Sequence, residues 1–268
     1  MQLFNFVEGT APLLISMPHC GTQLAPEMAE NITPAAKQLA DTDWHLQKLY
    51  DFAKAMGASI IQPHYSRYVI DLNRPADNTD LYPGANGTEL CPTSSFAEEP
   101  LYQPGKEPNS TEVSHRLQTY WHPYHGKLQE ELTHLRARHG VAVLFEAHSI
   151  RSEVPRFFEG RLPDINIGTA NGTSCAPQLL TAVEKVLKQQ KDYSFVVNQR
   201  FKGGYITRAY GQPVADIHAL QLELSQRTYM EETFPFNYSP KTAKQVQPVL
   251  SQLIAALIEW AEQRSEHT

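Results

Sequence analysis

Two histidines in this chain stand in matching places. The apolar run Leu13-Leu14-Ile15-Ser16-Met17 leads into Pro18-His19-Cys20-Gly21, and Val141-Ala142-Val143-Leu144-Phe145 leads into Glu146-Ala147-His148-Ser149. One histidine after a strand is ordinarily a hydrogen-bonded loop or core residue. Two imidazoles at equivalent strand ends suit a metal pair. Catalytic zinc commonly takes three protein ligands, often two histidines and a carboxylate, and keeps a fourth position for water. Asp43 in Ala40-Asp41-Thr42-Asp43-Trp44-His45 is the expected carboxylate, with Asp41 and Glu146 as alternatives. Of the two aspartates, the one that is not a ligand is expected to cap the helix that begins there.

Glu223 interrupts the apolar run Ala219 to Leu224, where an ionised carboxylate is costly unless it is paired or used. Beside a metal it could take a proton from water and hand it to a leaving amine; a structural salt bridge is the competing account. Arg74 closes the segment Arg67-Tyr68-Val69-Ile70-Asp71-Leu72-Asn73-Arg74-Pro75. Guanidinium groups form two parallel bonds to a carboxylate, so Arg74 is placed to hold one, against a surface salt bridge as the alternative. Cys20 beside His19 suggests a thiol nucleophile only weakly, because neighbours on an extended segment point apart. The group His122-Pro123-Tyr124-His125 is expected at the polar surface or in a supporting role.

These residues need strands and helices to carry them. Strand signals fall at Pro12 to Met17, Ala58 to Gln62, Tyr68 to Leu72, Val141 to Phe145, Phe195 to Val197 and Ala219 to Leu224, as short apolar runs ending in polar residues. Helical patterns lie at Trp44 to Met56, Glu112 to Arg138, Ala176 to Lys191 and Thr242 to Arg264. Such alternation predicts an α/β fold: a mixed, mostly parallel sheet flanked by helices on both faces. Open sheets of this kind bind ligands at the carboxyl ends of their strands. From about Asn73 to Asn109 the chain is rich in Pro and Gly with little periodicity, and the arginine segment that opens this stretch marks it as an active-site loop.

With 268 residues, no repeat and no linker, the chain is expected to form one domain over residues 1–268. A formal net charge of −6 without a Lys/Arg cluster opposes nucleic-acid and anionic-membrane binding. An anionic small molecule would have to be met by a few placed arginines. The first residues lack a basic start and a long apolar segment, and no apolar run reaches transmembrane length, so a cytoplasmic location is expected. The three cysteines, Cys20, Cys91 and Cys175, have neither disulfide nor C-x-x-C spacing and are expected as thiols.

Four segments together carry a resemblance: Pro18-His19-Cys20-Gly21, Asp41 to His45, Ser66 to Pro75, and Leu222 to Met230. The chain resembles the N-formylglutamate amidohydrolase family from about Leu13 to Met230, and the Asp71-Leu72-Asn73-Arg74 piece is the most specific part. That family is in turn similar to the zinc carboxypeptidases and the aspartoacylase and succinylglutamate desuccinylase group. Their motif order is matched here by His19, Asn73 with Arg74, His148 with Ser149, and Glu223 with Leu224. The first motif departs from theirs, since Thr22 stands where the metal-binding Glu would be. The resemblance implies hydrolysis of N-formyl-L-glutamate to formate and L-glutamate, late in histidine breakdown. It implies Zn2+ or a similar divalent ion on His19, His148 and Asp43, with Glu223 as base and then acid. Asn73 and Arg74 would hold the α-carboxylate, and Arg67, Arg151 or Arg208 would meet the side-chain carboxylate or the developing oxyanion. A desuccinylase or deacylase using the same site, and a metal-free binding protein that kept the fold, are the alternatives.

Overall fold

Leu13, Leu14 and Ile15 are all wholly buried, which a strand permits only when both faces of its sheet are covered. The computed structural model describes residues 2–81 and 87–265, and seven strands in it form one sheet: β1 (Phe4–Val7), β2 (Leu13–Ser16), β3 (Ser59–Pro63), β4 (Ala142–Ile150), β5 (Ile165–Gly168), β6 (Phe195–Val197) and β7 (Ile217–Ser225). Their order is β1-β3-β2-β4-β7-β5-β6. The central strands β3, β2, β4 and β7 run parallel, and β5 also pairs parallel with β6. Antiparallel pairing joins β1 to β3 and β5 to β7. The mixed, mostly parallel sheet expected from the sequence is therefore present.

Successive side chains leave a strand on opposite faces, and the core splits accordingly. Leu13, Ile15, Val143 and Phe145 pack against α1 (Leu46–Leu49), α2 (Phe52–Ala55), α5 (Pro177–Gln189) and α7 (Pro240–Ser265). On the other face, Leu14, Ala142 and Leu144 pack against Leu128, Leu132 and Leu135 of α4 (His122–His139). Each buried Leu or Phe contributes roughly 1.5–3 kcal/mol from its removal from water. That packing makes the central strands a rigid base.

Several expected elements differ in ways with clear causes. Tyr68 to Leu72 forms turns and irregular chain instead of a strand, although Tyr68, Val69, Ile70 and Leu72 are buried. The Ser66 hydroxyl accepts from the Tyr68 N–H, and the Asp71 carboxylate accepts from the Asn73 N–H at 2.9 Å. Such local side-chain bonds compete with a strand ladder. The helix expected over Trp44 to Met56 is only the two single turns α1 and α2. The one expected over Glu112 to Arg138 is α3 (Ser110–Arg116), a widened π turn over Leu117–Trp121, and α4. Pro123 has no N–H to donate back into that turn. The short β1, β5 and α6 (Tyr205–Tyr210) had no periodic signal long enough to announce them. No helix among the described residues is long and apolar enough to cross a membrane.

Candidate active site

β4 continues through Ile150, so Glu146 and His148 lie within the strand and not beyond its end. Two residues apart, they leave the same face, on the side of α4 and α6. β7 runs beside them with His148 opposite Glu223 and Glu146 opposite Gln221. His19 arrives in the turn that follows β2. Its carbonyl accepts from the Asp43 N–H at 3.0 Å, which brings the aspartate alongside.

The His19 and His148 rings lie 4.7 Å apart. His148 Nδ1 is 3.0 Å from Asp43 Oδ2, and His19 Nδ1 is 3.8 Å from the same oxygen. All three residues are buried, and their ligand atoms fall within 4.8 Å of one another. Each histidine is held from behind by a carboxylate. His19 Nε2 donates to Asp71 Oδ1 at 2.7 Å, and His148 Nε2 donates to Glu146 Oε1 at 2.8 Å. This is the arrangement that fixes the orientation and raises the basicity of metal-ligating imidazoles, and it turns both Nδ1 atoms toward Asp43.

The electrostatics fit a cation there. Burial works to lower the His148 pKa, and the carboxylates of Glu146 and Asp43 outweigh it and hold the ring well above the ordinary value. A divalent ion among the two Nδ1 atoms and Asp43 would take the place of that proton. His19, by contrast, is lowered by burial and by the neighbouring Arg67, so its Nδ1 keeps a lone pair. Two histidines and one carboxylate are a donor set suited to zinc. Asp41 is turned elsewhere. It accepts from the Tyr68 hydroxyl and the Phe96 N–H, each at 2.8 Å. Neither aspartate caps α1, whose N-cap residue His45 makes no side-chain cap bond.

Glu223 faces the same space. Burial is the main influence on its carboxyl, opposed by His148 and reinforced by Asp43, and it is pushed up to about 8. Gln221 Nε2 lies 3.4 Å from Glu223 Oε2, while its Oε1 accepts from the Gly204 N–H at 2.7 Å. That segment approaches closely because Gly204 has no side chain; any Cβ there would collide with Asn73. Burial also raises the Cys20 thiol far above its usual range, with Asp43 adding to the effect. A thiolate nucleophile has no support there.

These groups open onto a cavity of about 290 Å³. Arg67 lies at its base, with Nη2 donating to Asp71 Oδ2 at 2.6 Å, Nη1 donating to His19 Nδ1 at 3.1 Å, and the Phe96 ring over its guanidinium. Arg74 lies on one wall. Its Nε and Nη2 donate to Thr88 and its Nη1 to the Asn73 carbonyl, so that among the described residues one N–H on each terminal nitrogen remains for a carboxylate. Asn73 also lines the cavity, and its Nδ2 is 3.0 Å from His148 Nε2. Neither Arg151 nor Arg208 is among the described residues that line it. Arg151 lies 3.6 Å from Asp41, and Arg208 Nε donates to the Gly203 carbonyl. Arg156, Arg200 and Lys202 line it instead. No sequence signal marked these three, whereas Asp71, a buried charge in an apolar run, could have been found by that cost.

The described part of the long loop also contributes, through Asn78, Thr79, Asp80, Gly87, Thr88 and Phe96. The sequence profile of N-formylglutamate amidohydrolases matches residues 11–230. The chain belongs to the N-formylglutamate amidohydrolase family. It is 49% identical over 263 residues to an N-formylglutamate deformylase of Pseudomonas putida, covering 98% of each chain. A Pseudomonas aeruginosa deformylase is 48% identical with the same coverage. Its fold is similar to the crystal structure of N-formylglutamate amidohydrolase from Ralstonia eutropha JMP134, with a TM-score of 0.83 at 24% identity and 100% of both chains covered. A gene product of Agrobacterium tumefaciens shares the fold at a TM-score of 0.74 and 15% identity, over 98% of this chain and 97% of that one.

Proposed function

We propose that the chain hydrolyses N-formyl-L-glutamate to formate and L-glutamate. One observation carries this reading: Glu223 faces the cavity beside the buried His19–Asp43–His148 group, with the arginine wall opening onto the same space. A divalent metal held by those three residues, zinc or a similar ion, would polarise the formyl oxygen and acidify water when bound. Everything else is done by side chains of the chain itself. Glu223 takes a proton from the attacking water and returns it to the glutamate nitrogen as the C–N bond breaks. Burial favours the protonated form of its carboxyl, which suits a group that must return the proton it takes. Arg74 grips one substrate carboxylate, with Asn73 beside it. Arg67, fixed by Asp71, meets the oxygen on which charge develops.

Arg151 and Arg208 were the other expected cations for the second carboxylate; in this reading Arg156, Arg200 and Lys202 take that place because they face the cavity. The same reading sets the reaction in the cytoplasm and late in histidine breakdown. Turnover of formyl-, acetyl- and succinyl-glutamate, with formate and glutamate measured together, tests the substrate. Faster hydrolysis of a larger acyl group would replace this assignment with a deacylase or desuccinylase. Elemental analysis of wild type, Asp43→Ala and Asp41→Ala tests the ion: metal should be lost with Asp43 and retained with Asp41.

A further inference from the structure

The π turn and the first turn of α4 place two aromatic side chains, Trp121 and His125, against the back of the segment that carries Asp71, Asn73 and Arg74. Their rings are stacked, with centroids 3.7 Å apart and planes 20° apart. His125 Nε2 donates to the Leu72 carbonyl at 2.9 Å, and Trp121 Nε1 donates to the Arg74 carbonyl at 2.9 Å. At the ring's edge Tyr210 lies nearly parallel, with centroids 5.8 Å apart and planes 16° apart, and its hydroxyl is 2.9 Å from Nδ1. Both ring nitrogens are thereby satisfied and the tautomer is fixed. The ring is buried.

The two carbonyls lie on either side of the cavity-lining Asn73. Leu72 follows Asp71, whose carboxylate holds His19 and Arg67. Arg74 itself lines the cavity. The segment belongs to no strand or helix, so the sheet ladder does not fix it; side chains must do so. We infer that His125 and Trp121 are positioning residues for the reaction, clamping the Asp71–Arg74 turn so that the metal-ligand support and the carboxylate grip keep their spacing. This rests on the proposed function for its kinetic readout, and metal affinity supplies a second readout that does not.

The two halves of the clamp should separate. His125→Phe keeps the stack on Trp121 and removes the bond to Leu72, next to Asp71. Metal affinity, read by chelator competition, should weaken several-fold, less than the roughly tenfold or more lost when a group bonded directly to a metal ligand is removed, because His125 acts through Leu72 and Asp71. kcat should fall with it. His125→Gln, which can present an N–H near the position of Nε2, should recover most of both. Trp121→Phe keeps an aromatic ring and removes the bond to Arg74. KM should rise several-fold with metal affinity unchanged. A His125→Phe variant that melts at a lower temperature, but binds metal and turns over within twofold of wild type, would reduce His125 to a packing residue and overturn the inference. Equal effects of Phe and Gln at 125 would do the same. If the activity assigned here is wrong, the kinetic readouts fail for every variant while the difference in metal affinity between Phe and Gln at 125 persists.

Discussion

The cavity has two walls of different make. One is strand: β4 and β7 lie side by side with His148 opposite Glu223 and Glu146 opposite Gln221, and the backbone ladder sets those positions whatever the side chains are. The other is irregular chain, described over residues 66–81 and 87–96. It is tied by side chains one bond at a time: Arg74 to Thr88, Asn78 to the Leu90 N–H, Asp41 to the Phe96 N–H, and Arg156 to the carbonyls of Gly87 and Ser95. The strand wall separates placement from chemistry. In the loop wall the same side chains do both. Substitution in the strand wall should therefore remove a chemical step cleanly, and substitution in the loop wall should mix rate, affinity and stability.

The largest expected effect lies on the strand wall. Glu223→Gln should keep fold and metal while kcat falls by about two to four orders of magnitude, the usual contribution of a general acid–base group. Near-normal turnover would take Glu223 out of the mechanism. Unfolding would show that placement and chemistry are not separate there after all.

A matched pair sharpens the contrast. Glu146→Gln and Asp71→Asn each remove the charge behind one histidine, and each should weaken metal binding by roughly 10–100-fold. Glu146 sits in the ladder, with Thr207 Oγ1 donating to its other oxygen at 2.6 Å, so its effect should stop at the metal. Asp71 also holds Arg67 and the Asn73 N–H. Asp71→Asn should therefore raise KM at saturating metal, and an unchanged KM there would erase the distinction between the walls.

The same division explains what the sequence could reveal. Strand residues such as Leu13 to Ile15 and Val143 to Phe145 are apolar and continuous, so their period and their polar followers were readable, and with them His19, His148 and Glu223. Asp43, the expected carboxylate, does face the histidines, but no feature of the sequence set it apart from Asp41. Asp41 and Asp43 are two residues apart, and the outcome depends on Tyr68 and Phe96, distant in the chain. Tyr68 to Leu72 had the composition of a strand, yet local bonds from Ser66 and Asp71 turned it. Arg151 and Arg208 were singled out where Arg156 and Arg200 line the cavity, because no periodicity tells which arginine a loop will carry into a cavity.

On the loop wall, Arg74→Lys keeps the charge and loses the fork. Thr88 orients the guanidinium through two of its nitrogens, and a lysine ammonium cannot reproduce both bonds and still present two parallel N–H groups to a carboxylate. kcat/KM should fall at least about tenfold, roughly 1.4 kcal/mol of lost transition-state stabilisation, and further in Arg74→Ala. A nearly silent Lys variant would mean that Arg74 only ties the loop. So would equal turnover of the substrate and its α-amide.

The smallest expected effect concerns acid stability, and it follows from the helix side of the loop wall. Burial is the main cause that lowers the His125 pKa to about 3, with the Leu72 carbonyl only partly opposing it. The folded state thus prefers the neutral ring, whereas in the unfolded chain the ring takes up a proton near the ordinary histidine value of about 6.5. The sign follows: the contribution of His125 to stability is complete above about pH 6.5 and declines as pH falls toward 3, because there the unfolded state binds the additional proton. The slope approaches, and does not exceed, about 1.4 kcal/mol per pH unit for one proton. Between pH 6.5 and 5.5 the loss is about 1 kcal/mol, since the unfolded ring is only partly titrated at the upper end. Other groups titrate in the same range, so the informative quantity is a difference. Urea unfolding of wild type and His125→Phe at the two pH values should show the wild type losing about 1 kcal/mol more than the variant. Parallel losses in the two proteins would mean that the ring is not held neutral in the folded state.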